Sequence, residues 1–283
     1  MNEGSTANAG WFEGLDRGDL DGGSEAIESG SAESPSNWPE RAVETGFAES
    51  EDDYYRALHE TTMRATREAV TERERADDAQ LVHAVRAMDD AERTANELAE
   101  RVAEWAGSLF DVDGAGVGYA REVAGREPDG PAEERAVSLA QRTVELAEEA
   151  DSLRAFVERT TPAVAPNLAA MAGPVLAARL IALAGGLEAL ARKPSGTLQV
   201  LGAEDALFAH LRGRAPSPKH GIIYTHEYVR GTRAEDRGSA ARALAGKLTI
   251  AARVDHYSGD RRPELDAELD ERIATIRARE AEE

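Results

Sequence analysis

The sequence predicts a mainly α protein: an antiparallel coiled-coil hairpin followed by a helical domain, with a short irregular segment in front. Three observations predict it. Apolar residues recur at alternating spacings of three and four in two runs between residues 81 and 157. Glycine and proline gather where those runs stop, and residues 162–190 form one long Ala/Leu/Gly stretch. At 283 residues the chain is long enough for two ordinary domains.

Residues 1–50 are rich in Gly, Ser, Asp and Glu and show no sustained period. They nevertheless contain Trp11, Phe12, Trp38 and Phe47, half of the eight Trp and Phe residues in the chain. Disordered acidic linkers are poor in aromatics. The segment is therefore either a small docking element that orders on a partner or a tail packed loosely on its own protein.

Residues 51–160 read as a coiled-coil domain. A lead-in helix runs from Tyr54 to about Thr71. The first long helix then sets Leu81, Ala84, Met88, Ala91, Ala95, Leu98, Val102, Trp105 and Leu109 in heptad order, with Asp77 and Asp78 available to cap its start. The second starts at Pro131 and repeats Ala136, Leu139, Thr143, Leu146, Ala150, Leu153 and Val157. Alanines in the seam allow close approach. Dimerisation is expected through Leu81, Met88, Leu98, Val102, Trp105, Leu139, Leu146 and Leu153.

The connection holds Gly114, Gly116 and Gly118, but no hydrophobic strand precedes them and the full G-x-G-x-x-G spacing is absent. A flexible hairpin tip is the better account. The stretch Pro162 to Leu190 carries Arg179 at its middle and Pro174 nearby. A central arginine opposes membrane insertion by about 2.5–3.5 kcal/mol, so a buried helix pair is expected, with Arg179 in an internal ion pair. The N-terminus lacks a basic start followed by an apolar run. A cytoplasmic protein that does not meet a membrane is expected.

The formal charge is −21, from 33 basic and 54 acidic residues, and the only lysines are Lys193, Lys219 and Lys247. Excess carboxylate with little lysine suits a chain kept hydrated in concentrated salt, as in a halophilic archaeon, where a Debye length of roughly 3 Å at ~1 M mutes self-repulsion. Disorder is opposed by a hydrophobic content of 41%. The charge is unevenly laid out: residues 1–50 carry −9, 51–160 carry −13 and 260–283 carry −4, whereas 161–259 carry +5, with 7 acids against 12 bases. Either an anionic partner, nucleic acid being the commonest, or internal pairing of its arginines accounts for that island.

Signals for catalysis are weak. The absence of cysteine excludes disulfides, thiolate nucleophiles and thiolate metal sites. His226-Glu227 begins like a zinc-protease motif, but Arg230 stands where the second histidine is needed. No G-x-S-x-G elbow occurs and no Walker lysine follows a glycine-rich loop. Paired acids such as Asp89-Asp90 lie on heptad helices and read as a solvated face. No catalytic residue and no metal site is expected.

The positive island carries a longer series. It contains Ala165-Pro166-Asn167-Leu168, Ala184-Gly185-Gly186-Leu187-Glu188-Ala189-Leu190-Ala191, and Pro194-Ser195-Gly196-Thr197-Leu198-Gln199-Val200-Leu201. Gly202-Ala203-Glu204-Asp205-Ala206-Leu207-Phe208, Pro218-Lys219-His220-Gly221-Ile222-Ile223-Tyr224 and a helix from Arg237 through Lys247 to Asp255 follow. In this order the series closely resembles the Nop domain of box C/D guide ribonucleoprotein scaffolds, the Nop56/Nop58-like proteins. Upstream, Ala84 to Asp90 and Asn96 to Trp105 look like that family's coiled-coil helix, so the resemblance covers about residues 54–277.

The resemblance implies an all-helical Nop domain over residues 161–260, an acidic C-terminal helix over 261–283, and a non-catalytic scaffold. Its implied partners are a box C/D guide RNA, a ribosomal-protein-like kink-turn binder, fibrillarin and a second copy of itself through the coiled coil. Fibrillarin would hold the only cofactor, S-adenosylmethionine, for guide-directed 2′-O-methylation of rRNA or tRNA. The family pattern Gly-Ala-Glu-Lys has Asp205 in place of its lysine here, and a carboxylate repels a phosphate where a lysine attracts it. The usual folded N-terminal domain is replaced by about fifty residues without readable strands, so fibrillarin docking would fall to Trp11, Phe12 and Trp38, or be lost. The family's basic tail is also missing.

Placed on these residues, Gly202, Ala203 and Glu204 open a helix whose N–H groups either face phosphate or are simply capped. Arg212, Arg214, Lys219 and His220 occupy a proline-bearing basic loop in which His220 can stack on a base. Arg230, Arg233 and Arg237 form a second basic stretch. Arg242, Lys247 and Arg253 lie along a later helix, with Arg242 and Arg253 on one face. Leu207, Phe208 and Leu211 are either core or the kink-turn-protein contact. A coiled-coil adaptor that keeps the fold without binding RNA is the alternative.

Overall fold

The computed structural model describes residues 10–30, 37–110 and 113–278. Glu280, Glu282 and Glu283 at the end of the expected acidic C-terminal helix lie outside them. Among the described residues there are fourteen α-helices, one 3-10 turn and no strand. The fold is mainly α, as expected. The chain divides into two units, Met1–Ala76 and Asp77–Glu283. That division departs from the expected boundaries after residues 50, 160 and 260. The lead-in helix packs with the N-terminal residues, and the base of the hairpin shares a core with the helices that follow it.

The first unit is not irregular. It folds as α1 (Leu20–Ser29), α2 (Trp38–Glu44) and α3 (Glu51–Arg75). Ser50 caps α3 by accepting the Asp53 N–H, and Glu51, Asp52 and Asp53 place negative charge at the positive end of the helix dipole. Phe12, Phe47 and Tyr54 form the centre, with Phe12 stacked on Phe47 at 5.2 Å and Trp11 edge-on to Phe47 at 5.4 Å. The Trp11 indole N–H donates to the Tyr54 hydroxyl at 3.3 Å. Arg17 pairs with Glu49 at 2.9 Å and Asp53 at 2.5 Å. The Glu49 N–H and then Arg17 hold the Asp53 carboxyl below its usual range.

The second unit begins with α4 (Asp77–Phe110) and α6 (Pro131–Val164). Glu92 pairs with Arg154 at 3.0 Å while Val102 clusters with Val137, the order that an antiparallel hairpin requires. The seam matches the predicted one in part: Ala95, Val102, Ala136, Thr143 and Ala150 take the expected positions, whereas Ala99, Ala106 and Ala140 join in place of larger residues. Ala95, Ala99, Val102 and Ala106 are buried on α4, facing Ala136, Ala140, Thr143 and Ala150 on α6. Leu98, Leu139, Leu146 and Leu153 are only half-buried, and Trp105 is exposed. Two apolar stripes lie side by side on these helices, and alanine permits the closer backbone approach, so the small-residue stripe takes the seam. Leu81, Met88 and Val102 are fully buried against their own chain. They are therefore unavailable to a second copy, which corrects the expected dimer contact at those three positions.

Part of the tip is helical. Gly116–Ala124 form α5, whose Tyr119, Ala120 and Val123 pack with Val102, Ala106, Val137 and Ala140. A Cβ on Gly114 would lie 2.0 Å from the Tyr119 ring, so glycine lets that ring close over the backbone. Gly116, at φ +69°, supplies the left-handed backbone at the start of α5.

Beyond the hairpin come α7 (Pro166–Ala172), α8 (Pro174–Ala184), α9 (Leu187–Arg192), α10 (Ser195–Val200) and α11 (Glu204–Leu211). They are followed by a 3-10 turn (Ile222–Thr225), α12 (Glu227–Arg230), α13 (Arg237–Tyr257) and α14 (Glu264–Ala278). Leu244 and Leu248 of α13 are fully buried in one core with Leu168, Leu180, Ile181, Leu190, Leu198 and the hairpin's Leu81 and Met88. No single described helix is long and apolar enough to cross a membrane; α7 and α8 pass such a test only together, bent by 119°.

Polar contacts lock this arrangement. Arg179 donates through Nε to both carboxylate oxygens of Asp89, at 3.0 and 3.1 Å, so Asp89 belongs to a part-buried pair between α4 and α8, while Asp90 is on the exposed face as expected. Asp78 accepts the Leu187 N–H at 3.0 Å and so serves α9. Asp255 accepts three bonds at the start of α7: from Asn167 N at 2.9 Å, Asn167 Nδ2 at 2.6 Å and Leu168 N at 2.9 Å. Asn167 Oδ1 in turn accepts the Arg262 N–H at 2.7 Å.

His226 joins α12 to α7. Its Nδ1 accepts the Tyr228 N–H at 3.1 Å and its Nε2 lies 3.1 Å from the Met171 carbonyl oxygen, which requires the neutral ring with hydrogen on Nε2. Burial, the largest cause, lowers its pKa from the ordinary 6.5. The unfolded chain therefore takes up the proton first. The contact's stabilisation is complete above about pH 6.5 and is lost as pH falls from there through the folded-state value. Thermal melts between pH 7 and 5 are expected to fall more steeply for wild type than for His226→Gln; parallel curves would contradict this role.

Candidate nucleic-acid interface

Three segments distant in sequence converge at one end of the second unit. Residues 199–204 leave α10, turn at Gly202 with φ +82°, and enter α11. The Pro218–Gly221 loop is pinned to them: the Gly221 N–H donates to Gln199 O and the Ile222 N–H to Leu201 O, both at 2.8 Å. The Gln199 side-chain amide donates to Lys219 O at 2.7 Å. A Cβ on Gly221 would sit 2.0 Å from Leu201 O, so only glycine permits this approach. The third segment is the start of α13, where Lys219 lies against Gly238.

A ring column connects the loop to α13. His220 stacks on Tyr224 with centroids 4.6 Å apart and planes at 22°. The Arg237 guanidinium lies 5.4 Å from the Tyr224 ring centroid, and its Nε donates to Thr232 O at 3.0 Å. Burial, followed by the Arg237 charge, lowers the His220 pKa from 6.5. Lys219, His220 and Arg237 thus present positive charge and a fixed aromatic face together. Sequence reasoning assigned no role to Gln199 or Tyr224. The signal that could have found them is Gly221, a glycine inside a basic loop that implies close backbone approach.

Other expectations need correction. The Gly202 N–H donates to the Glu204 carboxylate at 2.8 Å and the Ala203 N–H to Val200 O at 2.9 Å. Neither is free to meet a phosphate; Glu204 satisfies the turn itself, the capping alternative. Lys247 is ion-paired with Glu268 of α14, and Arg233 lies within 4.0 Å of Glu235 and Asp236. Arg253 donates through Nε to Ala191 O at 3.1 Å. Arg212, Arg214 and Arg242 are exposed.

Phe208 and Leu211 are 54% and 70% exposed, Leu207 is half-buried, and α11 buries no residue, so the core alternative for them fails. Trp11, Phe12 and Trp38 pack in the N-terminal cluster instead of standing free for docking. The reason is proximity: Phe47 and Tyr54 supply partner rings within the same unit. Among the described residues no group of three or more His, Asp or Glu is placed to hold a metal ion.

The Nop family model, described as "snoRNA binding domain, fibrillarin", matches residues 53–277. The chain belongs to the Nop family. This Nop chain is 33% identical to an uncharacterised NOP5-family protein of Methanocaldococcus jannaschii, over 83% of the chain and 66% of that protein. It is 32% identical to nucleolar protein 58 of Aspergillus clavatus, over 63% of the chain and 36% of that protein. The Nop chain therefore spans about two thirds of the first relative's length and about a third of the second's. A crystal structure of a fibrillarin/Nop5p complex superposes with a TM-score of 0.53 at 26% identity, covering 90% of this chain and 92% of that one.

Proposed function

We propose that this Nop protein is a non-catalytic scaffold of an archaeal, salt-adapted box C/D ribonucleoprotein. It binds a kink-turn guide RNA together with its kink-turn protein and positions fibrillarin for 2′-O-methylation of rRNA or tRNA. The carrying observation is the convergence of Lys219, His220 and Arg237 on one rigid edge, in the segment where an acidic chain turns positive. The family description supports RNA as the ligand, and the fibrillarin/Nop5p complex supports fibrillarin as a partner. S-adenosylmethionine would belong to fibrillarin, so this chain supplies distance and orientation.

Exposed Phe208 and Leu211 on α11 offer apolar surface for the kink-turn protein. Fibrillarin would dock on the folded N-terminal unit, where Val43, Tyr55 and Met63 are exposed, and not on Trp11 or Phe12. A second copy would use the outer stripe of Leu98, Trp105, Leu139 and Leu146. The occupied N–H groups at Gly202 and Ala203, with Asp205 beside them, favour the adaptor alternative.

The test is a gel shift in molar KCl with kink-turn RNA, with and without the kink-turn protein. At that salt the counterion contribution is small, so shape, stacking and the protein partner must carry binding. A supershift that requires the kink-turn protein is expected. No shift, with the protein–RNA pair intact, would favour the adaptor.

A further inference from the structure

Helix α13 carries an exposed face that the column at its start does not use. Ser239, Arg242, Gly246, Ile250, Arg253 and Tyr257 follow one another at spacings of three and four and fall within about 80° of arc. Ile250 is 42% exposed and Tyr257 71% exposed. In a chain with 54 acids this 21-residue helix has one, Asp255, which is buried under α7. The exposed face has none.

Two of these side chains are held in place before any partner arrives. Arg253 is anchored through Nε to Ala191 O at 3.1 Å while the residue stays exposed, and Lys193 lies two residues after Ala191 in the chain. Tyr257 is braced edge-on by His256 at 4.6 Å. The stripe starts within one turn of Arg237, and Arg242 to Tyr257 spans about 22 Å at 1.5 Å per residue.

We infer that this face is a second RNA contact, a track for a single-stranded segment leaving the kink-turn, with Arg242 and Arg253 on phosphates and a base stacked on Tyr257. The inference rests on the RNA reading above. Single strands are recognised by cationic tracks interleaved with aromatic faces. The exposed Tyr257 ring, the two arginines and the absence of acid on this face fit that chemistry better than a protein seam, which would need more apolar area than Ile250 and Tyr257 supply.

The experiment compares two kink-turn RNAs loaded with the kink-turn protein, one ending at the stem and one carrying a ten-nucleotide single-stranded tail. Wild type is expected to bind the tailed RNA more tightly. Tyr257→Ala should lose about tenfold on the tailed RNA alone, with Tyr257→Trp restoring it. The pair Arg242→Gln and Arg253→Gln should lower the salt slope on that RNA by about 1.4.

Equal wild-type affinity for both RNAs would overturn the track. So would a tail-dependent gain that survives both variants, equal losses on the two RNAs, or altered self-association without altered RNA binding. Binding of the tailed RNA alone would instead overturn the kink-turn reading and leave the track standing. Failure to bind either RNA would overturn both.

Discussion

Asp255→Ala is expected to lower the unfolding free energy of the second unit by about 3–5 kcal/mol. The carboxylate accepts three short bonds from Asn167 and Leu168 across 87–88 residues of sequence, in a site where it is only 7% exposed. Truncation leaves buried donors without partners, and each such loss is worth about 1–3 kcal/mol. The same carboxylate caps α7 and ties it to α13, so the damage reaches the central helix. For a unit of this size the melting temperature should fall by roughly 10 °C. Asn167→Ala should behave similarly, because its side-chain oxygen also holds the Arg262 N–H that sets the entry to α14. Arg192→Ala serves as the surface control, since its ion pair with Glu188 is exposed and worth under about 1 kcal/mol. A change below about 1 kcal/mol for Asp255→Ala would show that α7 is held by packing alone.

Gly221→Ala is expected to weaken RNA binding at least tenfold with only a small fall in melting temperature. The added methyl would lie 2.0 Å from Leu201 O and 2.6 Å from Val200 C, so two backbone segments must part. The bonds from Gly221 to Gln199 and from Ile222 to Leu201 then lengthen. Each contributes about 1 kcal/mol, and tenfold in affinity is 1.4 kcal/mol. Displacing the loop moves Lys219 away from Gly238 and breaks the stack of His220 on Tyr224, so one substitution disturbs both the charge and the ring. Lys219→Ala with His220→Ala should reproduce the binding loss while leaving the melting temperature unchanged. If Gly221→Ala binds the loaded kink-turn RNA as wild type does, the loop is not part of the interface.

Much of this molecule was legible without coordinates. The heptad runs gave two long helices of the right length and order, and the motif series from Asn167 to Asp255 pointed to the family. The ion pair of Arg179 followed from a lone cation in an apolar run. Three of the misread features each have one reason. Alanine and leucine both count as apolar in a heptad, so the pattern did not reveal that Ala99 and Ala106 would displace Leu98 and Trp105 from the seam. The glycines near 114 signal a special backbone, but whether a ring such as Tyr119 packs over it depends on α4 and α6 being side by side. The N-terminal aromatics looked available because their partners, Phe47 and Tyr54, lie more than thirty residues away from Trp11 and Phe12.

What the sequence by itself determined is local and periodic: helix content, the hairpin, the charged island and the lack of catalytic motifs. These depend on neighbours within a few turns, where spacing and side-chain type decide the outcome. Only the tertiary structure decided which cations are spoken for and which remain outward. Lys247 and Arg253 look alike in the chain, yet one meets Glu268 and the other is anchored by the Ala191 carbonyl and stays exposed. Likewise Gly202 looked like a free donor until Glu204 folded back onto it. Hydrogen bonds and ion pairs act over about 3 Å between groups that the fold alone brings together, so their allocation has no signature in the order of residues.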